Sequence, residues 1–306
     1  MEALKSNELY SLEWFKNRAF KSLKKLGEGV WDFSDSLLLY APGTEEEYEA
    51  VQQVESPYHK LVTQPEREYL EGIASTLVSE LPSEFEYIDL GPGTEHKEQF
   101  IFDAAKQQNK KFTYAPVDIS EKFLAQSSGY ASQQNISTHP YRVPFEELPA
   151  RLKSMGVPRF VLLGLTYSNY EPQTILDLLK ILAGEEGFVF INSQIRDRVN
   201  MDEIKKIYKD NVYGMSKSKL QLLGLDIETD VSEIATDDGV RVWCTLKRST
   251  PELERLGMVA GARLLAFQSL RTTKESLEKD IAAIFPEHKL FDTEAPFIGA
   301  LLKNTG

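Results

Sequence analysis

The sequence has a single cysteine, Cys244, in 306 residues, which excludes an internal disulfide and any fold held together by one. Four scattered histidines leave little material for a structural zinc site, so no metal is expected. Long apolar runs are missing too. Stretches such as "FVLLGL" at 160–165 are far too short to span a bilayer, and the start "MEALKSNELYSLEWF" lacks the apolar centre of a secretory leader. Positive charge is in deficit: 35 basic against 47 acidic residues give a formal net charge of -12, which repels a phosphate backbone. The basic cluster "KSLKK" at 21–25 reads as the solvated face of a helix. No internal repeat or low-complexity segment occurs. The expectation is a cytoplasmic globular protein with neither nucleic acid nor membrane as partner.

What is present is enough apolar residue, 42% of the chain, for one large or two modest cores. Leu9, Leu12, Phe15, Ala19, Leu23 and Leu26 recur at helical spacing over 7–27, and an acidic helix is expected near 44–54, an all-helical preamble. In "TQPERE" at 63–68, Thr63 and Glu66 form a capping-box pattern with a proline in the first turn, so a helix should run from there to about 80.

From 85 the pattern alternates. Apolar runs at 85–90, 112–117, 159–165 and 187–192 read as buried strands, separated by helical segments near 96–107, 120–134, 145–155 and 171–183. Strand, helix, strand, helix implies an α/β fold with a mostly parallel sheet and right-handed crossovers. Further on, a helix-rich stretch at 201–223 precedes strands around 227–234 and 240–247, a helix at 251–260, a strand at 262–270 and a helix at 273–285. The tail "APFIGALLK" suits an antiparallel strand at 296–303 that closes the sheet.

In such a sheet, ligands bind at the carboxyl ends of the strands, where the first strand passes to its helix through a glycine turn. "DLGPGT" at 89–94 stands at that handover, and Gly91 and Gly93 would let the backbone approach a ligand closely. A pyrophosphate is the familiar guest, but the last glycine of the dinucleotide fingerprint is replaced by His96. Asp118, in "TYAPVDIS", ends the next strand, where a carboxylate can accept both hydroxyls of a ribose. A ribose together with a carboxylate-bearing tail describes S-adenosylmethionine.

Read together, "DLGPGTEHK", "YAPVDIS" and "LLGLTYSNYEP" at 162–172 resemble, in order and spacing, the S-adenosylmethionine-dependent L-histidine Nα-methyltransferases of ergothioneine biosynthesis and their relatives. Members of that family read like "LGSGTSxK", "PVDVS" and "LGSTIGNLTP" at these places. The resemblance runs from 63 to about 195. It implies a Rossmann-like class I methyltransferase domain at 68–195 with S-adenosylmethionine as cofactor. A second, substrate-binding lobe would be formed from N-terminal helices at 1–67 and an insertion at 196–250 acting as a lid, with 251–306 completing the fold. It also implies that Gly91, Gly93, Thr94 and Lys97 form the cofactor loop, with Lys97 near the methionine carboxylate, and that Asp118 binds the ribose and Gly164 belongs to the cofactor site. Thr166 and Asn169 would hold the amino acid head group of the substrate, which makes Asn169 the expected catalytic residue. The ordinary use of an asparagine before "EPQTILDLL" is a helix N-cap.

The departures point to another acceptor. Where the family carries a glutamate and a serine that bind the substrate imidazole, in a segment like "HTExSYKYTP", this chain reads "VWCTLKRSTP" at 242–251, with Cys244 and Leu246 at those positions. A thiol and an aliphatic group cannot satisfy imidazole nitrogens. The family's "EYYPT" becomes "YHKLVT" at 58–63, and its acidic adenine-binding segment has no counterpart in "YRVPFEEL" at 141–148. Tyr58 or His59, Tyr213, Met215, Trp243 and Cys244 are the candidate pocket walls, and the expected reaction is N-methylation of a small amino acid-like amine other than histidine. Two further readings stand beside it: a catalytically silent methyltransferase-like partner module, and a nicotinamide-dependent oxidoreductase, which His96 disfavours.

Overall fold

The computed structural model describes residues 10–42, 45–209, 213–225, 230–233 and 238–306, with the backbone alone at 45–48, 213, 215–217 and 230–233. The chain divides into two compact units, Met1–His59 with Asn200–Leu270 and Lys60–Val199 with Arg271–Gly306.

The second unit is built on a seven-stranded sheet: β1 (Glu84–Leu90), β2 (Lys111–Asp118), β3 (Tyr141–Arg142), β4 (Arg159–Leu163), β5 (Phe188–Gln194), β6 (Glu287–Asp292) and β7 (Phe297–Lys303). Their spatial order is β6-β7-β5-β4-β1-β2-β3. The first five pair in parallel, and β7 runs antiparallel between β5 and β6. The helices are α1 (Gln64–Ser79), α2 (Glu98–Gln107), α3 (Glu121–Gln133), α4 (Pro172–Ala183) and α5 (Lys274–Ala282). This is the expected α/β architecture with its closing antiparallel strand.

Because helices cover both faces, the central strands bury both sets of alternate side chains and read as nearly continuous apolar runs. The two faces differ in chemistry. Ile88, Leu90, Val117, Val161, Leu163, Val189 and Ile191 form an aliphatic layer with Leu176, Leu179 and Ile281 of α4 and α5. Phe85, Tyr87, Tyr114, Phe160 and Phe190 form an aromatic layer with Leu70, Leu77 and Phe102 of α1 and α2.

Three local expectations need correction. Thr63 is helical (φ -68, ψ -48) and makes no side-chain cap; a turn of π-helix at His59–Thr63 runs directly into α1, so Glu66 has no capping partner to serve. The helix expected at 145–155 is a short 3₁₀ turn, Phe145–Ala150, with Pro149 inside it. The strand expected over 159–165 stops at Leu163, and Leu165–Asn169 is a 3₁₀ turn.

In the first unit the preamble is not all-helical. The helix Leu12–Ser22, capped by Ser11, ends sooner than its apolar stripe suggests, and Lys24–Gly27 and Val30–Asp32 form a hairpin. The hairpin belongs to a five-stranded sheet ordered Lys24–Gly27, Val30–Asp32, Arg263–Leu270, Gly239–Thr245, Asp230–Glu233. Of the strand expected around 227–234, residues 227–229 and 234 lie outside the described residues, as do 7–9 of the first helix. Lys219, from the helix Tyr213–Leu220, is wholly buried, 4.8 Å from the centre of the Phe33 ring. Burial pushes its ammonium down to about 8. Among the described residues, no helix is long and apolar enough to cross a membrane.

Candidate functional site

At the carboxyl edge of the parallel sheet, the Gly91 amide still donates to the Val117 carbonyl at 2.9 Å, and the chain leaves the sheet immediately after it. Gly91 and Gly93 both take left-handed backbone conformations, φ +69 and +68, which a side chain would strain. A Cβ on Gly91 would also lie 3.6 Å from the Phe145 ring and 3.7 Å from Thr166 Oγ1, so the loop after β1 and the loop after β4 meet at this glycine. Thr94, in the same loop, donates its hydroxyl to Glu95 Oε1 at 3.1 Å.

Asp118 is the last residue of β2 and is buried. Its Oδ1 accepts the Ser120 amide at 2.8 Å, and Ser120 in turn caps α3 by accepting the Phe123 amide. Asp118 thus spends part of its acceptor capacity on the start of α3, while it stands at a strand end, where ligands of such sheets bind. Asn169 closes the 3₁₀ turn Leu165–Asn169. The N-cap of α4 is Glu171, with Pro172 first in the helix, so the ordinary capping role does not fall to Asn169.

Sequence reasoning missed the group that ties these loops together. Glu66, on the first turn of α1, is 2% exposed. Its Oε2 accepts from Lys97 Nζ at 2.8 Å, and its Oε1 accepts the Leu165 amide at 2.9 Å and Asn192 Nδ2 at 3.0 Å. A Cβ on Gly164 would stand 3.1 Å from Glu66 Oε1, so the glycine permits this approach. Lys97 is thus an ion-pair partner as well as a loop residue. Burial works against its ammonium, but the carboxylates of Glu66, Glu95 and Asp89 outweigh that and hold it above its ordinary range. The signal in the sequence was a glutamate three residues after a threonine, a pattern with a more familiar local explanation.

Beneath the glycine loop lies a second acidic group. Asp89, on β1, accepts the Tyr114 hydroxyl at 2.9 Å, and burial followed by repulsion from Glu98 pushes its carboxyl up to about 7. Glu98 is also buried and stands 3.1 Å from His96 Nδ1, and that hydrogen bond raises the imidazole. The His96 ring stacks on Tyr130 at 4.6 Å.

The other candidates belong to the first unit. Tyr58 packs edge-on against Tyr208 with ring centres 6.0 Å apart. Trp243 is half-buried with the Arg263 guanidinium 4.9 Å above its ring, and Cys244 is fully buried on the opposite face of the same strand. Tyr213 and Met215 lie in the helix Tyr213–Leu220, and their side chains are outside the described residues. The structure therefore brings together Gly91, Gly93, Lys97, Gly164 and Thr166, with Asp118 at the neighbouring strand end and Asn169 in the Thr166 segment.

A family model described as histidine-specific methyltransferase, SAM-dependent, matches residues 35–234. No curated protein matches the chain. Solved structures with a related fold include a putative O-methyltransferase from Nostoc punctiforme, 14% identical over 77% of this chain and 56% of that one, with a TM-score of 0.44. This chain thus spans little more than half of the Nostoc protein. An S-adenosylmethionine-dependent methyltransferase from Clostridium acetobutylicum is 12% identical over 86% of this chain and 99% of its own, with a TM-score of 0.42. The 1,6-didemethyltoxoflavin-N1-methyltransferase of Burkholderia thailandensis, solved with bound 1,6-didemethyltoxoflavin and S-adenosylhomocysteine, is 10% identical over 89% of this chain and 88% of its own, with a TM-score of 0.47.

Proposed function

Because the chain belongs to the family of histidine-specific, S-adenosylmethionine-dependent methyltransferases, we propose that it transfers a methyl group to the amine of a small amino acid-like acceptor other than histidine. The observation that carries the reading is the meeting of two loops. Thr166, in the turn that ends at Asn169, lies against Gly91 of the glycine turn, so a group held by Thr166 and Asn169 would sit beside whatever occupies that turn.

The residues present fit S-adenosylmethionine. Left-handed glycines keep side chains out of the turn, Lys97 offers a cation to the carboxylate of the tail, and Asp118 offers acceptors to the ribose hydroxyls. Thr94 and Gly164 complete the walls of this loop pair. When bound, S-adenosylmethionine supplies a methyl carbon already activated by its positively charged sulfur. The work left to the chain is to bind, to orient an uncharged amine and to exclude water. Asn169 suits the orienting role because its amide is neutral and can both donate and accept.

The change of acceptor is supported by the sequence at positions 244 and 246, where a thiol and an aliphatic side chain stand in place of groups that pair with the two nitrogens of an imidazole. A net charge of -12 likewise disfavours a nucleic acid substrate, and we place the reaction in the cytoplasm. Titration calorimetry with S-adenosylhomocysteine, with nicotinamide dinucleotides as controls, tests the cofactor. A mass-shift screen of amines that includes histidine tests the acceptor. No binding of S-adenosylhomocysteine would leave the silent partner module as the reading, and histidine as the best-methylated amine would refute the change of substrate.

A further inference from the structure

We propose that Glu66 is the positioning residue of the cofactor site, a buried carboxylate that aims the Lys97 ammonium at the amino acid tail of S-adenosylmethionine while it fastens the segment after β4 to the glycine loop. This rests on the reading of the site given above.

The first ground is reach. The three groups that Glu66 binds, Lys97 Nζ, the Leu165 amide and Asn192 Nδ2, stand just before α2, just after β4 and on β5. β5, β4 and β1 are neighbours in the sheet, and the boundary between β4 and β1 is where the strand order reverses. In doubly wound sheets ligands bind at that reversal. One carboxylate therefore fixes three walls of the place where a ligand is expected.

The second ground is the difference in exposure across the ion pair. The Glu66 side chain is 2% exposed and that of Lys97 is 21% exposed. The carboxylate is sealed behind the ammonium, and a ligand that reaches the loop meets the cation first. An ammonium has three donor hydrogens in a fixed fan, and the 2.8 Å bond to Glu66 uses one of them. Holding that one sets the direction of the other two. A lysine side chain left to itself samples many rotamers, and ordering it would weaken each contact it makes.

The third ground is that the geometry is over-determined. Glu66 has donors on both oxygens, and the absence of a Cβ at Gly164 allows the approach. A carboxylate bonded on both oxygens has little freedom to turn, so the group it presents to Lys97 is fixed in direction.

The test is calorimetry on the full chain with two ligands, S-adenosylhomocysteine and 5′-methylthioadenosine, which shares the adenosine and thioether but has no amino acid tail. Glu66→Gln should lower the affinity for S-adenosylhomocysteine about ten- to hundredfold, the range that one charge-assisted hydrogen bond represents. It should leave the affinity for methylthioadenosine unchanged. Lys97→Met should reproduce that pattern, and the double variant should fall no further than either single one, because both act through one contact. The double variant also removes both members of the ion pair together, so it gives the comparison even if Glu66→Gln alone folds poorly. Equal loss for both ligands would reduce Glu66 to a structural brace and overturn the proposal, as would no loss for either or additive losses in the double variant. A wild-type protein that binds neither ligand would instead overturn the functional reading itself.

Discussion

Replacing Asp89 by asparagine should stabilise the protein in mild alkali and leave it almost unchanged in acid. Asp89 is 3% exposed, and its carboxyl is pushed from 3.8 up to about 7, first by burial and then by the Glu98 carboxylate. The Tyr114 hydroxyl and the Lys97 ammonium oppose that rise without cancelling it. In the unfolded chain the same group titrates near its ordinary 3.8. Between those limits the folded protein holds a proton that the unfolded chain has released, so stability falls as the pH rises from about 4 to about 7 and stays low above that. The displacement corresponds to roughly 4 kcal/mol over the window. Asparagine is neutral throughout and can still accept the Tyr114 hydroxyl through its carbonyl oxygen, so it mimics the protonated acid at every pH. The variant's advantage should therefore climb by roughly 4 kcal/mol between about pH 4 and about pH 8. Urea unfolding followed by far-ultraviolet circular dichroism at closely spaced pH values measures it. An advantage that stays flat or shrinks as the pH rises would refute the assignment of a buried, reluctant carboxylate beneath the glycine loop.

Lys219→Met should also stabilise, with the opposite pH trend. The folded ammonium titrates near 8 against 10.5 when unfolded, so the gain is greatest at neutral pH, roughly 3 kcal/mol, and fades toward pH 10; the same unfolding series checks this, and a gain independent of pH contradicts it. Asp118→Ala should weaken S-adenosylhomocysteine about tenfold or more in calorimetry while the circular dichroism spectrum is kept. Unchanged affinity would remove Asp118 from the site. Asn169→Ala should abolish turnover of an accepted amine while cofactor affinity is preserved, and equal loss of both would mark the asparagine as structural.

The parts of the fold that were legible in the sequence are those whose side chains are buried on both faces. β1, β2, β4 and β5 stand out as apolar runs because helices cover them on each side. The edge strand β6 has only Phe291 buried and looks like a polar loop, and Lys24–Gly27 is exposed along its whole length. Periodicity cannot report a strand that buries almost nothing. The glycine turn was legible because positive φ angles restrict the residue type at 91 and 93. Glu66 was not, because its partners lie 31, 99 and 126 residues away and a local motif explained it first. Long-range pairing of buried charges leaves no pattern in one sequence.

Each unit is assembled from two separated stretches, so the polypeptide passes between them three times, at 59/60, 199/200 and 270/271. During synthesis this makes the order of emergence matter. The first 59 residues leave the ribosome before residues 200–270, which complete their unit, have been made. The parallel strands β1 to β5 emerge well before β7, which pairs with both β5 and β6. Until residue 303 is clear of the exit tunnel, β5 offers an unpaired edge along Phe188–Gln194, a template on which a neighbouring nascent chain can add a strand. That edge is closed only when Phe297–Lys303 pairs with it.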